Sequence, residues 1–194
     1  MAKVKGPLFS LDARGKIADT LVYMGWKGLQ TVRQYVIPSN PNSANQQTQR
    51  GYFSDAVDAW QASGYVTADV TAWNLLAQAL KAVASGFNMF VRYYVNAKVA
   101  GNDFTILSNI ATSSITANAC DISADIASDE TTKCYYGTSI TNMKEVEDGV
   151  FDVDHTDIAL TGLSSSTTYY FYLINEAASE AGRTGIYSFT TLAA

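Results

Sequence analysis

Cysteine is almost missing from this chain: its 194 residues include only Cys120 and Cys134. A single pair is too few for a disulfide scaffold or a zinc site. The two lie on segments read as consecutive strands with an offset of about four residues, or about 13 Å, so two buried free thiols are expected rather than a bridge. Histidine is scarcer still, with His155 alone, and no serine or cysteine motif stands beside it to suggest nucleophilic chemistry. The "GWKG" at 25–28 lacks the spacing and helix entry of a phosphate loop. Asp152 and Asp154 share a strand face but lack the glycine and terminal Glu of a calcium loop. The expectation is therefore a non-enzymatic protein with no cofactor and no metal. No apolar run reaches the roughly 18 residues of a membrane helix, and "MAKVKGPLFSLDARGK" has no apolar core of a secretory signal. A product of the cytoplasm without a membrane partner is expected.

What is present is enough to fold. Hydrophobic residues make up 47% of the chain and aromatics 12%, against 16% charged, a composition able to bury a core. The net charge of -5 hides a contrast. Residues 1–100 carry six Lys and four Arg against five Asp, a net of +5, whereas 101–194 carry two Lys and one Arg against thirteen carboxylates, a net of -10. The sign change coincides with "VAGNDF", so two domains are expected: a basic α+β anchoring domain over 1–101 and an acidic β-sandwich over 102–194.

In the first half, "KIADTLVYM" and "LQTVRQYVI" flank "GWKG" and read as the two strands of a hairpin. Pro38 and Pro41 form an extended corner, after which Asn42 or Ser43 can cap a helix. Three segments then repeat the helical spacing: Phe53, Ala56, Val57 and Trp60; Trp73, Leu76, Ala77 and Leu80; Phe87, Phe90, Val91 and Tyr94. Thr67 can cap the second helix, and Ser85 and Gly86 separate it from the third. Trp60 and Trp73 are expected in the core, and Gly51 implies close backbone contact or a kink. In the second half, "NACDISADI" puts Cys120, Ile122 and Ala124 on one face, and "TTKCYYGTS" does the same for Cys134 and Tyr136. Short strands at regular spacing predict a sandwich.

The runs "LTGLSSSTTYYFYL" and "GIYSFTT" resemble the fibronectin type III domain, an immunoglobulin-like sandwich, over about residues 103–192. In that resemblance Leu163 and Tyr169 are the leucine and the corner tyrosine, the Tyr169 hydroxyl bonds upstream backbone, and Phe171 and Leu173 face the core. Ala124 stands where the family has a tryptophan, which implies a smaller core filled by neighbouring aromatics. The first half resembles a segment of small tailed-phage structural proteins, through Gly15, Ile17, Trp26, Gly28, Arg33, Pro38, Asn40, Pro41, Gln46 and Arg50. That resemblance implies a virion structural component.

Trp26, Lys27, Arg33, Gln46 and Arg50 are the candidate interface residues. Arginine's planar fork suits carbonyls or a carboxylate, and the amides of "ANQQTQ" suit a protein partner. Arg33 and Arg50 equally fit an internal lock on the proline corner. The leading expectation is a multicopy or oligomeric phage decoration or accessory protein, docked by its first domain onto other capsid or tail proteins and displaying the sandwich outward. The alternatives are an adhesion module for a host surface or glycan, and a nucleic-acid-binding accessory protein. The modest, unclustered basic charge disfavours the last.

Overall fold

The computed structural model describes residues 14–26, 29–37, 39–127, 132–175 and 180–194, with Trp26, Leu29 and Glu180 placed by backbone alone. It divides into two units, residues 1–43 and 44–194.

In the first unit, strands β1 (Gly15–Ile17), β2 (Leu21–Trp26) and β3 (Leu29–Gln34) form a three-stranded antiparallel sheet in chain order. The strand expected to run unbroken from Lys16 to Met24 is interrupted. Ala18 and Asp19 take φ of +46° and +53°, both left-handed, within the three-residue connection 18–20 that joins the paired Ile17 and Leu21. The Thr20 backbone N–H and hydroxyl both donate to the Ile17 carbonyl at 3.0 Å, and Lys16 pairs with Asp19 across the turn. β2 and β3 pair from Leu21↔Gln34 to Trp26↔Leu29, as the expected hairpin requires. Pairing stops at Gln34, short of the expected Ile37.

The second unit opens with helices α1 (Ala44–Ala62), α2 (Thr67–Ala79) and α3 (Gly86–Val99), where the helical spacing predicts them. Their core is aromatic. Phe90 meets Trp60, Trp73 and Phe104 edge to face, with ring centroids 5.1, 5.5 and 5.5 Å away. Trp73, Phe90 and Leu76 are buried, whereas Phe53 and Leu80, expected inside, are exposed. Val66 rather than Thr67 occupies the N-cap of α2, and the Asp69 carboxylate accepts the Val66 N–H at 2.8 Å. Ser85 caps α3 by accepting the Asn88 N–H. A Cβ on Gly86 would lie 2.7 Å from Trp73 Cβ, so glycine lets α3 start against α2.

The sandwich follows, with strands β4 (Asp103–Phe104), β5 (Leu107–Ser113), β6 (Ala119–Ile126), β7 (Thr132–Gly137), β8 (Glu145–Asp148), β9 (Val150–Asp152), β10 (His155–Thr161), β11 (Thr168–Asn175), β12 (Glu180–Arg183) and β13 (Tyr187–Thr190). One sheet has the order β5-β6-β10-β9; the other has β4-β12-β11-β7-β8, with β13 also on β11. Cys120, Ile122, Ala124 and Ile126 point inward from β6, opposite Cys134, Phe171 and Leu173. Both cysteines are buried free thiols, and they lie in different sheets rather than on paired neighbours. Ala124 shares its core cluster with Tyr169, Phe171 and Phe189; Tyr169 stacks on Phe189 at 5.8 Å, and Phe189 lies 6.0 Å from Phe171.

The expected boundary at 101/102 is not where the chain divides. "VAGNDF" is a helix end and not a linker: Gly101, at φ +84°, and Asn102 donate back to Lys98 and Ala97, a glycine C-cap that turns α3 directly into β4. The helices are also bound to the sandwich. The Ile186 N–H donates to the Ala72 carbonyl inside α2 at 2.9 Å, and Ile186 belongs to the helical core. The Tyr187 hydroxyl donates to Asp69 at 2.5 Å. The Arg183 guanidinium lies between the rings of Tyr93 on α3 and Tyr172 on β11, at 5.0 and 4.3 Å.

Two glycines make opposite predictions. A Cβ on Gly51 in α1 meets nothing within 4 Å, so there is no close contact to preserve. Gly51→Ala is expected to stabilise the protein by about 0.5–1 kcal/mol. A Cβ on Gly185 would clash with the α2 backbone at Ala72 and Trp73, and Gly185→Ala should cost at least about 2 kcal/mol. Denaturant midpoints of the two variants check both.

Candidate functional site

The sequence-expected interface residues fall on both units. Trp26 ends β2, Lys27 lies outside the described residues, and Arg33 is exposed on β3. Gln46 and Arg50 are exposed four residues apart on α1, a spacing that puts them on one helix face.

Cross-strand register assigns the faces of the small sheet. Ile17 opposes Leu21 and Tyr23 opposes Val32, so these four share one face. Lys16, Val22 and Arg33 share the other, where the Lys16 ammonium lies 4.7 Å from the Tyr35 ring centre. On the apolar face Tyr23 is buried, but Ile17, Leu21 and Val32 remain 46%, 39% and 48% exposed. Three short strands bury little by themselves, and an uncovered apolar sheet face marks a contact surface.

The charge contrast sharpens at the observed boundary. Residues 1–43 carry four Lys and two Arg against two Asp, a net of +4; residues 44–194 carry four Lys and three Arg against sixteen carboxylates, a net of -9. On the outer face of the β5-β6-β10-β9 sheet a groove of about 460 Å³ is lined by Asp121, Asp148 and Asp157 with Ser113, Ser123 and Val150. Among the described residues no group of three His, Cys, Asp or Glu is placed to hold a metal ion, and no helix among them is long and apolar enough to cross a membrane.

The titratable groups carry little reactivity. Burial pushes the Cys120 thiol up to about 11 and Cys134 further, so both remain protonated and poorly nucleophilic at neutral pH. Burial, then the Asp69 hydrogen bond, raises Tyr187 far above the ordinary tyrosine range. His155 lies 3.2 Å from Asp154 and 3.5 Å from Asp157. Sequence reasoning missed the Asp69, Tyr187 and Arg183 contacts, which join residues 118 positions apart in the first case and 90 in the last. No local signal marks pairs so distant.

The corner predicted at Tyr169 is formed, its hydroxyl accepting the Ser164 N–H at 3.0 Å, with Leu163 buried beneath it. Residues 103–190 thus form a two-sheet β-sandwich with a tyrosine corner. No protein-family profile and no curated protein matches the chain. Solved structures similar to it include a β-sandwich protein from a computer-based redesign, at 18% identity over 45% of this chain and 95% of that one, TM-score 0.38. The FN5 domain of Drosophila Lar is 14% identical over 46% of this chain and 97% of that one, TM-score 0.36. The sensor domain of the anti-sigma factor RsgI4 in Pseudobacteroides cellulosolvens is 20% identical over 46% and 94%, TM-score 0.35.

Two measurements test these contacts. Tyr169→Phe leaves the Ser164 N–H without its acceptor and is expected to cost about 1 kcal/mol by denaturant titration. His155 should titrate above its ordinary 6.5, because Asp154 hydrogen-bonds its charged form. Its stabilising contribution is complete below the ordinary pKa and fades as pH rises through the raised one. An NMR titration should therefore show an elevated midpoint that falls in Asp154→Asn.

Proposed function

We propose that this chain is a non-enzymatic structural protein of a tailed-phage particle, a decoration or accessory component present in many copies. Residues 1–43 hold it to other virion proteins, and the acidic sandwich is displayed outward. The observation that carries this reading is the small sheet with its apolar face open at Ile17, Leu21 and Val32, in a unit of net charge +4. Such a sheet gains stability by covering that face, and its charge suits an acidic lattice. The resemblance of Gly15, Ile17, Trp26, Arg33 and Gln46 to phage structural segments gives the lattice its kind. Like charge on the repeated outer body, at -9, keeps displayed copies and whole particles apart.

The outward body offers chemistry for display rather than turnover: its thiols are protonated, and its histidine is paired to aspartates without a nucleophile. Quantitative mass spectrometry of phage particles purified from cells that carry the gene is the test. The expected result is this protein at a copy number that matches a symmetry of the particle. Its absence from washed particles would overturn the reading.

A further inference from the structure

Two strand edges of this chain are open and chemically complementary. The first is β3, which among the described residues pairs with β2 alone. Beyond Gln34 the chain continues without regular structure through Val36 and Ile37, both exposed. From Leu29 to Ile37 it contains no proline, and Arg33 is its single charge. Arg33 pairs with no carboxylate among the described residues. Natural proteins cover, bulge or shorten an edge of that kind.

The second edge lies at one side of the sandwich, where β8 ends one sheet and β9 ends the other. Gly149 carries the chain between them: a Cβ there would lie 3.0 Å from the Thr132 carbonyl oxygen and also strike the Thr156 hydroxyl. Residues 145–154 contain five carboxylates and no Lys or Arg. Between the acids stand Val146, Val150 and Val153, with Val150 and Val153 71% and 84% exposed. Val153 holds this place at φ +60°, a conformation a β-branched residue adopts only under strain. One edge is apolar with a cation; the other is apolar with anions.

We propose that the β3 edge of one copy docks along the 145–154 edge of a second copy, so that copies join head to tail. This rests on the reading of residues 1–43 as an assembly module and names that module's partner. Charge selects the pairing. Two β3 edges together would set one +4 unit against another, and two acidic edges would oppose five carboxylates with five. The mixed contact alone brings opposite signs together while covering both rows of exposed aliphatic side chains. A heterologous contact repeats, so it builds a ring or a filament and suits a multicopy component. It uses the edge of the small sheet and leaves its apolar face for the particle.

The test is sedimentation velocity on the full chain with two variants at exposed positions, Arg33→Glu on one edge and the double Glu145→Lys/Asp152→Lys on the other. Wild type is expected to form concentration-dependent oligomers at low ionic strength that dissociate as salt rises. Each variant alone should lose all association. An equimolar mixture of the two variants again sets opposite signs against each other at every contact, since one contact keeps both native edges and the other carries both reversals, and it should regain association. A monomeric wild type would overturn the proposal, as would a double variant that associates like wild type or a mixture that stays monomeric. Monomers in solution with the protein present in particles would overturn this pairing and leave the proposed function standing; a head-to-tail dimer with the protein absent from particles would do the reverse.

Discussion

The fold of residues 44–194 depends on a close approach of backbone to backbone. Gly185 brings the segment between β12 and β13 so near α2 that any side chain would collide with Ala72 and Trp73, and the next residue, Ile186, both donates to the Ala72 carbonyl and enters the helical core. Everything else at that seam assumes the approach: the Asp69–Tyr187 hydrogen bond on one side and the Arg183 stack on the other. Side-chain packing alone tolerates shifts of volume, but a glycine contact of this kind permits one arrangement. The helices and the sandwich are thereby parts of a single body.

Consolidating that body leaves residues 1–43 as the part with unmet surface. The body has two buried clusters, one aromatic and one between the sheets, while the small sheet buries Tyr23 alone among its described hydrophobic residues. Charge follows the same division, at +4 and -9. A module that is apolar, basic and thinly cored is suited to completion by a partner, and a separately stable acidic body is suited to exposure. Function in this chain resides in surfaces and edges rather than in a pocket of converging reactive groups.

Much of this was legible in the sequence where the signal was local. The spacing of Trp73, Leu76 and Ala77 announced a helix, and the alternation of Cys120, Ile122 and Ala124 announced a strand face, because each pattern is the period of the element itself. Tyr169 and Leu163 were assigned a corner through the resemblance of "LTGLSSSTTYYFYL" to the fibronectin type III domain, a motif contained in one short stretch. The break at Ala18 and Asp19 was hidden, since a short turn inside an apolar alternation leaves the pattern nearly intact. The boundary was misplaced for a different reason. A change of charge and a glycine at 101 look like a linker in one dimension, whereas the contacts that decide the matter join α2 to β13 across more than a hundred residues. Of the candidate interface, the exposure of Arg33, Gln46 and Arg50 was readable from their chemistry; the open apolar face and the acidic edge at 145–154 required the register and the sheet order.

The central claim is that helices and sandwich unfold together while residues 1–43 are held separately. Native-state hydrogen exchange of the full chain, followed peptide by peptide in increasing denaturant, measures this most directly. The account predicts that peptides from α2, α3, β11 and β13 converge on one opening free energy, with peptides from 14–37 exchanging through a lower one. Helical peptides that open well below those of β11, with the sandwich still protected, would contradict it.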